Sequence, residues 1–318
     1  MSIEFTFVPG VGKNAAAFFF DPTAAGRQLA LADEVGFERV VVDDPGGMLA
    51  NFDIAAYAAR VSSTLQIVLT HWAGVISPVV AARQLAAFDA RTGGRLSLRI
   101  PDEGETDRDD TDTLRPGHVA IVQRTDEYLM LLKRLWSNSR PFDFEGQYHS
   151  FREGFVPDKG SVGEIPLRMS GNSGTAIQAA ARHADVFELS PGPAGDIRQQ
   201  IERIRNAAVQ YGRSEKISFA LPVRFNGDAN ADTPPYGPTG SARGGAAGIA
   251  VSFLPYIEAG VSEFMVSGLD DDNAMRLSGD VATILRNTVR RSDAVGFAGW
   301  PAIRSQDGVA HDRRATAL

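Results

Sequence analysis

The chain contains no cysteine, which removes disulfides, thiolate metal sites and cysteine nucleophiles from consideration. It also lacks any lysine- or arginine-rich block: 32 basic residues face 39 acidic ones and the net charge is −7. A nucleic-acid backbone is therefore an unfavourable partner. No apolar run approaches the roughly 20 residues needed to cross a bilayer, and the opening MSIEFTFVPG has neither the charged nor the apolar region of a secretion signal. A cytoplasmic protein with no membrane partner is expected. The glycine-rich loops GxGxxG and GxxxxGKS/T are both missing, so dinucleotide and triphosphate sites of those kinds are not expected. No metal site is expected either. Asp43 and Asp44 have no His or Glu partner at ligand spacing and read as loop caps, while His118, His149 and His183 read as surface or helix residues.

What is present is a repeated alternation. Short runs rich in valine, isoleucine and phenylalanine begin near Ile3, Glu38, Leu65, Arg95, Pro166, Asp185, Lys216 and Ser262. Longer helical patterns separate them, which is the signature of βα units around a parallel sheet. Helix boundaries are marked by Asp21 before Pro22 with Gly36 at the exit, and by Ser77 before Pro78 with Gly93 at the exit. Eight such units predict an α/β fold, a closed (β/α)8 TIM barrel forming one domain over residues 1–291. Residues 292–318 are expected to be a tail, partly disordered or docked on a neighbour through Trp300. Three segments interrupt the rhythm: the acidic stretch 102–116, a β-hairpin around Gly146 in PFDFEGQYHSFREGFVP, and a Gly/Pro-rich segment from Asn226 that is expected to be mobile.

In such a barrel the working groups collect at the C-terminal ends of the strands. The most readable of these is SGNSG, Ser170 to Gly174, where glycines let backbone approach a ligand and a helix then presents unpaired N–H groups. An anion, phosphate first, would fit there. The competing reading is an ordinary helix cap at Asn172 or Ser173. Thr70 and His71 end the third strand. His71 is read as a group titrating near neutrality, a donor to a ligand carbonyl or a proton carrier, or else as a histidine satisfied within the barrel mouth. Glu188 and Arg224 end neighbouring strands, and a salt bridge between them competes with a role for Arg224 in anion binding.

Several stretches together resemble one family: ISPVVAARQLAAFDARTGGRLSL, RTDEYLMLLKRLW, PFDFEGQYHSF, the SGNS cradle and YIEAGVSEFMVSG. The chain is similar to the bacterial luciferase-like flavin-dependent monooxygenases, and within them to the alkanesulfonate monooxygenase branch, from Ile3 to about Val289. The resemblance implies reduced FMN supplied by a partner flavin reductase, O2 as co-substrate, a small or medium organic substrate, and a homodimer or higher oligomer. It implies that Ser170, Gly171, Asn172 and Ser173 receive the FMN phosphate and that Thr70 and His71 line the flavin ring. His71, Arg224 and Arg243 are the catalytic candidates, Arg243 standing in ARGGAAG where the branch carries an arginine-bearing lid. The chain also departs from that branch. Ile121 and Val122 replace an Arg-Tyr pair, and Pro222, Arg224, Ser190, Met48 and Leu269 stand at other positions of the sulfonate site. Simple desulfonation is therefore not implied. A deazaflavin-dependent oxidoreductase and a catalytically silent luciferase-like subunit remain alternatives.

Overall fold

Buried apolar runs become strands here because each is covered on one side by a helix. A computed structural model describes residues 2–10, 21–43, 48–101, 118–159, 165–225, 245–269 and 271–295. Its order is β1 (Glu4–Phe7), α1 (Pro22–Glu34), β2 (Arg39–Val42), α2 (Met48–Val61), β3 (Gln66–Thr70), α3 (Pro78–Thr92), β4 (Leu96–Ile100) and α4 (His118–Ser137). There follow β5 (Phe142–Glu145), β6 (Ser150–Gly154), β7 (Leu167–Met169), α5 (Gly174–His183), β8 (Val186–Glu188), α6 (Ala194–Val209), β9 (Ser218–Arg224), α7 (Gly245–Ala259), β10 (Glu263–Ser267) and α8 (Asp272–Val295). Eight parallel strands close in the order β1-β10-β9-β8-β7-β4-β3-β2, and β5 pairs antiparallel with β6 outside the barrel. The expected closed barrel and inserted hairpin are both present. α8 runs to Val295, four residues into the stretch assigned to a tail.

Helix starts follow the sequence signals with one difference. Asp21 Oδ1 accepts from the backbone N–H of Thr23 and of Ala24, which satisfies two donors that the first turn leaves open. Ser77 stands at the N-cap of α3 but its hydroxyl makes no capping bond, so Pro78 at the first position supplies the start signal instead. Gly93 ends α3 with φ 71°, a left-handed conformation costly for residues with a Cβ.

Alternation along the strands divides two interiors. Phe5, Phe7, Val40, Val42, Ile67, Leu69, Leu96, Leu98, Leu167, Phe187, Phe219, Leu221, Phe264 and Val266 face the helices in one continuous core. Among the described residues the axial face holds a small apolar cluster of Val41, Val68, Ala220 and Met265. Much of the remaining axis is filled by charge, which decides the character of the site.

A carboxylate on α4 gathers the hairpin turn. Glu127 accepts from the backbone N–H groups of Gln147, Tyr148 and His149 at 2.8, 3.0 and 2.7 Å. Arg134 stacks over the Phe142 ring, 4.1 Å from its centroid.

Candidate active site

Barrel geometry brings Thr70, Arg99, Ser170 and Glu188 toward one end, where β3, β4, β7 and β8 finish. Arg99 lies beside Thr70 in the β3–β4 register and beside Arg168 in the β4–β7 register. These side chains form a ladder of ion pairs inside the barrel. Arg99 donates from Nε to Glu188 at 2.7 Å and from NH1 to Asp43 at 3.0 Å. Arg168, 1 % exposed, donates from Nε to Glu188 at 3.1 Å and through both terminal nitrogens to Glu263 at 3.0 and 2.8 Å. Arg39 continues the ladder, donating to Glu4 at 2.8 Å with Glu263 3.6 Å away. Thr6 also donates to Glu263.

Electrostatics follow from this packing. The Glu188 carboxylate raises the Arg99 pKa, which burial opposes and Asp43 supports. Burial works to raise Glu188, but Arg99 and Arg168 outweigh it and hold the carboxyl below its ordinary value. For Arg168, burial disfavours the charge and the carboxylates of Glu263 and Glu188 overcome it, so its pKa is raised. Arg99, Arg168 and Glu188 therefore stay ionised at neutral pH, and the value of the ladder is in fixing geometry, since buried pairs are costly to desolvate.

The cradle follows β7 directly and leads into α5. Gly171 adopts φ 122°, a backbone region that side chains disfavour. Ser173 is the N-cap of α5, its hydroxyl accepting from Ala176 N at 3.1 Å. Capping and anion binding are thus compatible: the backbone N–H groups of Gly174 and Thr175 have no partner among the described residues, and a Cβ added at Gly174 would meet nothing within 4 Å. Asn172 turns aside, its amide donating to Ser190 Oγ at 2.7 Å. Ile121 and Val122 do lie beside the cradle, lining an apolar pocket with Thr125, Met169, Ser170 and Ala176.

Two readings of site residues are corrected. Glu188 and Arg224 do not pair: Glu188 is in register with Ala220, four residues before Arg224, or roughly 13 Å at 3.3 Å per residue. Arg99 and Arg168 occupy the carboxylate instead, and Arg224 is exposed. Nor does His71 titrate near neutrality. It continues the helix-facing set of Ile67 and Leu69, is 2 % exposed, stacks on the Tyr128 ring and shares a 2.8 Å hydrogen bond through Nε2 with the Tyr128 hydroxyl. Burial lowers its pKa to about 4, so it is neutral at pH 7. Thr70 belongs to the axial set with Val68, and its Oγ1 is buried without a partner.

His183 is a helix residue as expected but is buried rather than superficial, with Nε2 2.9 Å from Asp126. His149 lies in the hairpin, its ring centroid 5.6 Å from that of Tyr128. Arg243, Asp44 and Trp300 lie outside the described residues, as do the acidic stretch and most of the Gly/Pro-rich segment. Among the described residues no group of three or more His, Asp or Glu side chains could hold a metal ion, and no helix is long and apolar enough to cross a membrane.

Arg99, Arg168 and Glu263 carry the site's charge and were not singled out in the sequence. A signal existed: in RLSLRI the apolar residues sit at 96, 98 and 100 while Ser97 and Arg99 alternate with them, a period-two pattern that marks a polar axial face.

The closed eight-stranded barrel, with the Ser170 to Gly174 loop leading from β7 into α5, places the chain among (β/α)8 barrel proteins. The luciferase-like monooxygenase family model matches residues 2–232, and the chain belongs to that family. Solved structures agree at the level of fold. A long-chain alkane monooxygenase superposes with a TM-score of 0.73 at 13% identity, covering 93% of this chain and 92% of that one. The EDTA monooxygenase of Chelativorans sp. BNC1 gives 0.70 at 14% identity over 90% and 94% of the two chains. An F420-dependent secondary alcohol dehydrogenase gives 0.69 at 16% identity over 88% and 98%.

Proposed function

We propose that the protein is an FMN-dependent monooxygenase of the two-component kind, taking reduced FMN from a flavin reductase and acting with O2 on a small or medium organic substrate. The observation that carries this reading is the cradle at the exit of β7, where a left-handed Gly171 and the open N–H groups of Gly174 and Thr175 meet the start of α5. Helix N-termini of this kind favour phosphate through unpaired donors and the helix dipole. The buried, unpartnered Thr70 Oγ1 is a second point of fit for a polar ligand in the mouth, because such a group costs about 1–3 kcal/mol until it is paired.

FMN, when bound and reduced, supplies the electrons that let O2 give one oxygen atom to the substrate and the other to water. The chain's own residues do the rest. Gly171, Gly174 and Thr175 orient the phosphate, and Ser173 holds the first turn of α5 in place. Neutral His71, locked to Tyr128, keeps the end of β3 dry and rigid rather than carrying a proton. Met169, Ile121 and Val122 exclude water beside the cradle, which protects reactive states from hydrolysis. The substituted sulfonate positions favour an organic substrate other than a simple alkanesulfonate.

Titration of the protein with FMN tests the reading: micromolar binding followed by O2-dependent oxidation of reduced FMN supports it. A second reading is favoured by the similarity to the F420-dependent dehydrogenase, namely hydride transfer with a deazaflavin and no need for O2. Anaerobic turnover with reduced deazaflavin distinguishes it. The apolar pair Ile121 and Val122 beside the cradle favours a third, a silent barrel paired with an active relative, for which neither cofactor binds.

A further inference from the structure

The axial faces of β3 and β4 carry two hydrogen-bonding groups side by side at the mouth. Thr70 and Arg99 are register partners on adjacent parallel strands, about 4.8 Å apart across the ladder, and both belong to the inward-facing set. Thr70 Oγ1 is buried with no partner. Arg99 spends Nε on Glu188 and NH1 on Asp43, and its NH2 has no partner among the described residues. Its side chain is 24% exposed, so this remaining corner looks into the mouth. The guanidinium cannot swing away, because Glu188 is itself clamped from below by Arg168 and Arg168 by Glu263. One strand over, β7 leads directly into the cradle.

We infer that Arg99 NH2 and Thr70 Oγ1 form a two-donor receptor for a negatively polarised oxygen of the molecule bound in the mouth. This inference rests on the proposed cofactor site for one of its two sources: the oxygen belongs either to the carbonyl-bearing edge of a flavin or to a carboxylate or sulfonate of an organic ligand. A guanidinium fixed on two sides and offering its third is preorganised, so little conformational freedom is lost when it binds. The flanking carboxylates of Glu188 and Asp43 offset most of its charge. That balance favours a carbonyl or a delocalised anion over a multiply charged group, which is left to the cradle.

The test compares wild type with Arg99→Gln and Thr70→Val, each checked for folding by thermal unfolding and near-UV circular dichroism. Three quantities are read: the dissociation constant for oxidised FMN, the midpoint potential of bound FMN, and the binding of acetate and methanesulfonate to the protein with and without FMN. If the oxygen is the flavin's, Arg99→Gln weakens reduced FMN at least tenfold more than oxidised FMN, a fall of about 30 mV for a two-electron couple. Thr70→Val then weakens both forms. If the oxygen is the organic ligand's, FMN affinity and potential hold while acetate or methanesulfonate binding drops tenfold or more in both variants. Folded variants that change none of the three by more than twofold overturn the inference. Should Arg99→Gln fail to fold for want of a partner to Glu188, Thr70→Val decides alone, since it leaves the ion pairs intact. Failure of wild type to bind FMN sinks the cofactor reading only, and the acetate and methanesulfonate arm still tests the receptor.

Discussion

Arg168 and Glu263 meet across the barrel lumen, joined by two hydrogen bonds of 3.0 and 2.8 Å although β8 and β9 separate their strands in the sheet. A pair so placed replaces the layer of branched side chains that usually fills this position. Removing one member strands the other. Arg168→Leu is expected to cost about 3–5 kcal/mol, since an uncompensated charge then remains buried. The double substitution Arg168→Leu with Glu263→Leu is expected to recover a large part of that loss. Urea unfolding of Arg168→Leu, Glu263→Leu and the double variant beside wild type measures it, and a double variant as unstable as the sum of the two singles contradicts the cross-lumen role.

Burial of His71 at the end of β3 gives the fold a defined response to acid. The folded-state pKa of His71 is about 4 because of burial, while an unfolded histidine titrates near 6.5. Between those values the unfolded chain takes up a proton that the folded chain refuses, so stability from this group is present above about pH 6.5 and is lost as pH falls toward 4. At 1.36 kcal/mol per pH unit the loss is roughly 3 kcal/mol. His71→Gln should flatten the stability profile by that amount in this window. Stability curves that stay parallel from pH 7 to pH 4 contradict it.

Glu127 is the fastening of the hairpin. Its carboxylate accepts three backbone N–H groups at the turn, and charge-assisted bonds of this kind are among the stronger ones. Glu127→Ala is expected to raise hydrogen exchange at the Gln147, Tyr148 and His149 amides on the order of tenfold, corresponding to about 1.4 kcal/mol of local opening. Exchange at the barrel strands should be unchanged. Uniform acceleration across the chain would show instead that the hairpin and barrel open together.

Much of the architecture was legible because helix-covered parallel strands leave continuous apolar runs, as in RVVV of β2 and QIVLT of β3. The hairpin was legible from aromatic alternation about Gly146. The site was harder for a reason seen in His71: its partner, Tyr128, lies 57 residues away on α4, and nothing local reveals which face of the strand end it takes. The Glu188 pairing is hidden on a similar ground. Its neighbouring strand was identified, but the register that sets it beside Ala220 rather than Arg224 depends on barrel shear. The charges of the lumen are legible as period-two alternation in RLSLRI, although each arginine also reads as an ordinary surface residue.

The proposed grip of the cradle on a phosphate is measured most directly by binding of FMN against riboflavin, which lacks that group. FMN is expected to bind at least tenfold more tightly. Gly174→Asp has open space for its side chain, and its charge suits a helix N-terminus, so the variant should fold and lose the preference by occupying the anion's place. Equal affinity for FMN and riboflavin in wild type, or a preference that survives in Gly174→Asp, contradicts the assignment.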